Sequence, residues 1–212
     1  MYNTIAKNSS FELTEKKSKF IANLIYIENK EQAENIIKEF KRKYHDARHN
    51  CFAYRVIENE LIYEKSSDDG EPSGTAGSPI LNILQKNNLC NVLVIVTRYF
   101  GGILLGTGGL VRCYSNSIIG ALENNCIIQI EQGVEYLIQT DYSSFENLKK
   151  YFNKNNINIL KIDYNELITC EIQMSIETKD NFFKEADKLK IDVNNIKFLK
   201  EIYIKKVSRN MM

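Results

Sequence analysis

Proline is almost missing from this 212-residue chain, with Pro72 and Pro79 alone, and glycine is missing from most of it. All ten glycines fall between Gly70 and Gly133, so the backbone that needs unusual conformations is concentrated in one stretch. The five cysteines (Cys51, Cys90, Cys113, Cys126 and Cys170) form no CxxC pair, and their odd number argues against a disulfide framework. They read as small buried hydrophobes in a reducing compartment. No apolar run approaches the roughly 18 residues of a spanning helix. The opening MYNTIAKNSSFELTEKKSKF also lacks the apolar core of a secretory signal. A cytoplasmic protein without membrane association is expected. Neither sign of charge dominates: the net charge is +1 and the basic residues are scattered. Nucleic-acid binding therefore needs a local patch, and no DNA specificity is evident. Hydrophobic residues at 43% and charged residues at 26% are ordinary globular usage, which excludes a disordered chain.

What is present is a succession of short periodic segments. A long strand is expected over 11–27, then a helix marked by Ala33, Ile36, Ile37 and Phe40. Strands follow over 49–57 and 61–64, a helix opens near Pro79, and the β-branched run 92–96 reads as a buried strand. Val111, Tyr114, Ile118 and Leu122 lie on one face of the next helix. Beyond Gly133 the pattern is more regular. Strands are expected over 134–138, 157–162, 168–176 and 196–207. Ser143 and Glu146 give a capping-box signal for a helix carrying Phe145, Leu148 and Phe152, and a second helix carries Phe182, Phe183, Ala186 and Leu189. The fold class is therefore α+β with two domains, residues 1–130 and 134–212. The second has the ferredoxin-like βαββαβ order, and a short joint at 130–134 separates the two.

Three segments could carry chemistry. In SDDGEPSGTAGSPIL, Asp68, Asp69, Glu71 and Ser73 make either a polar binding loop or a solvated turn whose side chains bond the nearby backbone. The spacing does not match an EF-hand, and no metal is expected. In VTRYFGGILLGTGGLVRCYS, a buried strand ends at Arg98 and a helix begins near Gly108. The free N–H groups of Gly106, Thr107, Gly108 and Gly109, flanked by Arg98 and Arg112, suit a phosphate. No Lys follows Gly106-Thr107 as a Walker loop requires, and the dinucleotide fingerprint is absent. The alternative is that the glycines serve tight turns and close packing, with Arg98 paired to Asp68, Asp69 or Glu71. His49 and Cys51 share one face of a strand and form a weak nucleophile–base candidate. Residues two apart on a strand lie about 6.5–7 Å apart, too far for an assured hydrogen bond. A packed His and a buried Cys are the commoner outcome, and no cofactor is expected.

Together these segments resemble the IMPACT family and its bacterial YigZ-type branch. The stretches KKSKFIA at 16–22, HNCFAYR at 49–55, SDDGEPSGTAGSPIL and RYFGGILLGTGGLVRCYS occur in the family's order. Cys113 stands where the family usually has Ala, and Phe52 where Trp is common. The C-terminal half is similar to the family's small appended bacterial domain of unknown function. The resemblance implies a first domain folded like the second domain of small-subunit ribosomal protein five, and a second like the ferredoxin-like domains of elongation factor G. Eukaryotic relatives bind a ribosome-associated activator of a starvation-sensing kinase, relieving translational repression under stress; that partner is not carried over. The expected function is a non-catalytic regulatory binding protein associated with translation. Its expected partner is the ribosome, RNA or a translation-associated protein. The alternatives are an enzyme acting on a phosphorylated small molecule at the glycine-rich loop, and a pure protein-interaction module using the 68–73 loop.

Overall fold

The computed structural model describes residues 2–205 except 187 and 190. It is mixed α/β, with two sheets in two compact units, Tyr2–Ile128 and Gln129 onward.

In the first unit, strand β1 (Tyr2–Ile5) precedes a sheet of β2 (Ser9–Glu15), β3 (Ser18–Tyr26), β4 (His49–Glu58), β5 (Leu61–Ser67) and β6 (Val92–Tyr99). The order across this sheet is β2-β3-β6-β4-β5, antiparallel throughout. Helix α1 (Lys30–Lys43) covers one face, where Ala33 and Ile37 pack on Phe52, Tyr54, Val56, Leu93 and Ile95. Helices α2 (Gly77–Lys86) and α3 (Thr107–Glu123) cover the other, against Phe20, Ala22, Leu24, Cys51, Ala53, Val92, Val94 and Val96. Successive side chains of a strand point to opposite faces. Here both faces are covered, so the central strands β4 and β6 are buried along nearly their whole length. That is why 92–96 of β6 reads as a continuous apolar run and not as an alternating one.

The expected single strand over 11–27 is a hairpin. Lys16 and Lys17 turn the chain between β2 and β3 with φ of 45° and 63°. Two left-handed residues are what a type I′ hairpin turn requires, and Asn-Gly or Asp-Gly usually mark one. Two lysines give no such mark.

Strand β7 (Ile127–Thr140) leads into the second unit, followed by α4 (Tyr142–Lys154), β8 (Asn158–Tyr164), β9 (Ile168–Ser175), α5 (Ile176–Glu185) and β10 (Ile196–Lys205). Pairing runs β10-β7-β9-β8, antiparallel at each step. Phe145, Leu148 and Phe152 of α4 and Phe182 of α5 pack on Val134, Tyr136, Ile138, Cys170, Ile172 and Met174. The joint expected at 130–134 lies inside β7, not between elements. Gly133 is a ladder residue paired with Ser175, and a Cβ there would come within 2.8 Å of the Met174 carbonyl. It answers to close packing and not to a turn. Helix α4 is capped by Asp141, whose carboxylate accepts from Ser144 N–H at 2.8 Å, and not by Ser143. An ionised acceptor makes the stronger bond. Helix α5 ends at Glu185, with buried Ala186 as its C-cap, and Val207 lies outside the described residues.

Candidate functional site

Register places the first components. Strands β4 and β6 are neighbours with His49 opposite Arg98 and Cys51 opposite Val96, so His49, Cys51 and Arg98 share the face covered by α2 and α3. Tyr114 descends onto that face from α3, and the segment after β5 brings Glu71 to the same point. Glu71 Oε1 lies 2.6 Å from Arg98 Nη1, accepts from the Tyr114 hydroxyl at 2.8 Å, and is 3.7 Å from His49 Nε2. The Glu71 and Arg98 side chains are 2% and 6% exposed. The guanidinium carbon stacks 5.3 Å from the Phe20 ring centre and 5.6 Å from that of Phe100. Arg98 Nε is buried without a hydrogen-bond partner among the described residues.

The thiol is tied into the same network. Cys51 Sγ is 3.2 Å from the Tyr114 hydroxyl and 3.0 Å from the Asp68 carbonyl. Burial pushes this thiol up to about 12; the Tyr114 hydrogen bond works against the shift, and the carboxylates of Glu71, Asp69 and Asp68 add to it. Burial likewise lifts the Tyr114 phenol far above its usual range. His49 Nδ1 faces the Asp69 carbonyl at 2.8 Å, an atom that only accepts, so Nδ1 carries a proton. His49 and Cys51 thus each bond elsewhere, and the arrangement gives no paired nucleophile and base.

The remaining acids build the loop. The Asp68 carboxylate accepts from the N–H groups of Gly74, Ala76 and Gly77 at 2.8–2.9 Å, which holds the turn and the start of α2. Partial burial works to raise its pKa; the three N–H bonds outweigh that and hold the carboxyl below its ordinary value. Asp69 binds Lys41 Nζ through one oxygen and the Asn50 N–H through the other, at 2.5 and 2.7 Å. Ser73 is exposed on the same loop. Asp68, Asp69, Glu71, His49, Cys51 and Arg98 are thus one bonded cluster, joined to α3 through Tyr114.

Outside this cluster lies a different surface. Phe100, Ile103 and Leu104 are exposed, and Leu104 is 83% exposed. Gly101 sits so close to the β2–β3 turn that a Cβ would fall 2.0 Å from the Lys17 carbonyl carbon, and its N–H donates to Ser18 Oγ at 3.1 Å. Gly106 precedes α3 with φ of 71°, the helix has no side-chain cap, and its first turn carries no acid. The amides of Thr107, Gly108 and Gly109 therefore begin the helix with no intrahelical acceptor. Thr107 and Gly108 are exposed and Gly109 is half-buried. Arg112 is exposed and Arg98 is not, so the two arginines do not form a joint clamp: one closes the buried cluster and the other faces outward.

Sequence reasoning missed Tyr114 as a polar member, because its helical spacing marks only a core position. It also missed Lys41, which sits among other charges on α1, and the Lys16–Lys17 turn.

Fold and site together define a mixed α/β protein whose glycine-rich strand-to-helix surface lies outside an internally bonded polar cluster with the Glu71–Arg98 pair buried at its centre. The family model described as the Impact N-terminal domain matches residues 16–122. The IMPACT family member YvyE of Bacillus subtilis is 36% identical over 186 residues, spanning 87% of this chain and 84% of that protein. The IMPACT family member YigZ of Escherichia coli is 32% identical over 160 residues, or 75% and 78%. A crystal structure of a hypothetical protein superposes with a TM-score of 0.63 at 29% identity, over 93% of this chain and 96% of that one. The chain belongs to the IMPACT family.

Proposed function

We propose that this chain is a non-catalytic regulatory binding protein associated with translation, and that it meets its partner on the surface formed by the 100–106 loop and the start of α3. The observation that carries this reading is the closure of the polar cluster. A catalytic acid, base or nucleophile must reach its substrate. Glu71 is covered and paired, and Cys51 is fully buried with its thiol pushed up to about 12. The loop apolar side chains, the first amides of α3 and Arg112 are among the groups open to another molecule.

Family membership supports the link to translation, since the resemblance implies domains akin to those of a ribosomal protein and an elongation factor. The βαββαβ order and the β10-β7-β9-β8 pairing accord with the latter. The test is co-sedimentation of the full chain with purified ribosomes at low and high salt. Retention with the ribosomal pellet at low salt is expected. A chain that stays in the supernatant under every condition contradicts the reading.

A further inference from the structure

Three exposed cations stand on the elements that flank the apolar loop. Lys16 and Lys17 form the hairpin turn on which Gly101 is seated, and Arg112 projects from the second turn of α3. The buried Cys113 thiol, raised by burial, also feels Glu15, Arg98, Arg112 and Lys16, so Lys16 and Arg112 share one neighbourhood with the exposed acid Glu15. None of Lys16, Lys17 and Arg112 forms an ion pair among the described residues. The positive end of α3 adds to the same side.

We infer that this face, with Phe100, Ile103 and Leu104 at its centre and Lys16, Lys17 and Arg112 at its rim, docks a protein partner that offers an apolar pocket edged by carboxylates. The inference rests on the binding role proposed above and names the chemistry of the partner. An apolar centre inside a charged rim is the anatomy of a protein–protein contact, with the rim charges selecting a complementary partner. A single-stranded RNA surface needs several aromatic platforms in a basic groove. Here two of the three central side chains are aliphatic. The loop is also fixed in advance, because Gly101 packs on the Lys17–Ser18 backbone and bonds Ser18. A pre-ordered loop loses less freedom when it binds.

Photo-crosslinking of the full chain carrying benzoyl-phenylalanine at position 104 tests this, with salt-washed ribosomes as one probe and deproteinised ribosomal RNA as the other. The expected product is a crosslink to a ribosomal protein. In parallel sedimentation, Leu104→Asp lowers ribosome affinity about tenfold or more. Paired Lys16→Glu and Lys17→Glu changes lower it too, and Leu61→Asp, exposed at the far edge strand β5, leaves it unchanged. Leu104 is 83% exposed, so its replacement leaves the fold intact, which a thermal melt verifies. Crosslinks confined to RNA or to a second copy of this chain overturn the inference, as does a folded Leu104→Asp chain that binds normally. Those results leave the translation role standing. Failure of the wild-type chain to bind ribosomes contradicts the role itself and removes this face's partner with it.

Discussion

Glu71 and Arg98 meet at 2.6 Å inside the first unit, from a loop and a central strand that lie 27 residues apart in sequence. Removing one partner of a buried pair strands the other, at about 3–5 kcal/mol. Glu71→Ala is therefore expected to lower unfolding free energy by about that amount. Glu71→Gln keeps acceptors for Tyr114 and Arg98 and is expected to cost less, about 1–3 kcal/mol. Urea denaturation of both variants measures this; equal stability of Glu71→Ala and wild type refutes a structural role for the pair.

Asp68 organises the turn before α2 through three backbone N–H groups, so Asp68→Ala is expected to cost about 1–2 kcal/mol. Its carboxyl is held below the ordinary value in the fold and regains that value on unfolding. The stabilisation is thus fully present above the ordinary carboxylate range and is lost as pH falls through the folded value. Denaturation curves across acid pH should fall more steeply for wild type than for Asp68→Asn. Parallel curves contradict the assignment.

Thiol labelling separates the cysteines. Cys126 is exposed, and Cys51, Cys90, Cys113 and Cys170 are buried. The thiolate is the reactive form, and burial raises the Cys51 and Cys170 thiols to about 12 and about 11. Brief alkylation of native protein should modify Cys126 alone, and unfolding should release the other four, as read by mass spectrometry. Rapid labelling of Cys51 in folded protein would reopen the nucleophile reading.

Gly101→Ala tests how the loop is held. The new methyl would lie 2.0 Å from the Lys17 carbonyl carbon, which is backbone and cannot turn aside. Overpacking of this kind costs about 1–3 kcal/mol. The variant should lose stability and also bind ribosomes less well than its melting temperature alone accounts for, because the loop is displaced.

Much of this fold could be read from the chain. The spacing of Ala33, Ile37 and Phe40, the run 92–96 and the alternation from Ile168 onward each correspond to an observed element. The β2–β3 turn escaped because Lys16 and Lys17 adopt left-handed backbone without the residues that advertise it. The joint expected at 130–134 lies within one strand, where Gly133 packs against the Met174 carbonyl, a long-range contact that leaves no local mark. The pairing of Arg98 with the 68–71 acids stood among the alternatives, but the choice of Glu71 depends on strand register and on Tyr114, a long-range matter that local patterns do not encode. The exposure of Leu104 was equally hidden, since an apolar residue in a glycine loop carries no sign of which way it faces.

The most direct test of the central claim, that the buried cluster is scaffold and the outer surface meets the partner, is ribosome co-sedimentation of three folded chains: wild type, Glu71→Gln and Leu104→Asp. Wild type and Glu71→Gln should bind alike, at temperatures where both are folded, and Leu104→Asp should bind about tenfold or more weakly. Loss of binding by folded Glu71→Gln with retention by Leu104→Asp would contradict the account and move the function into the buried cluster.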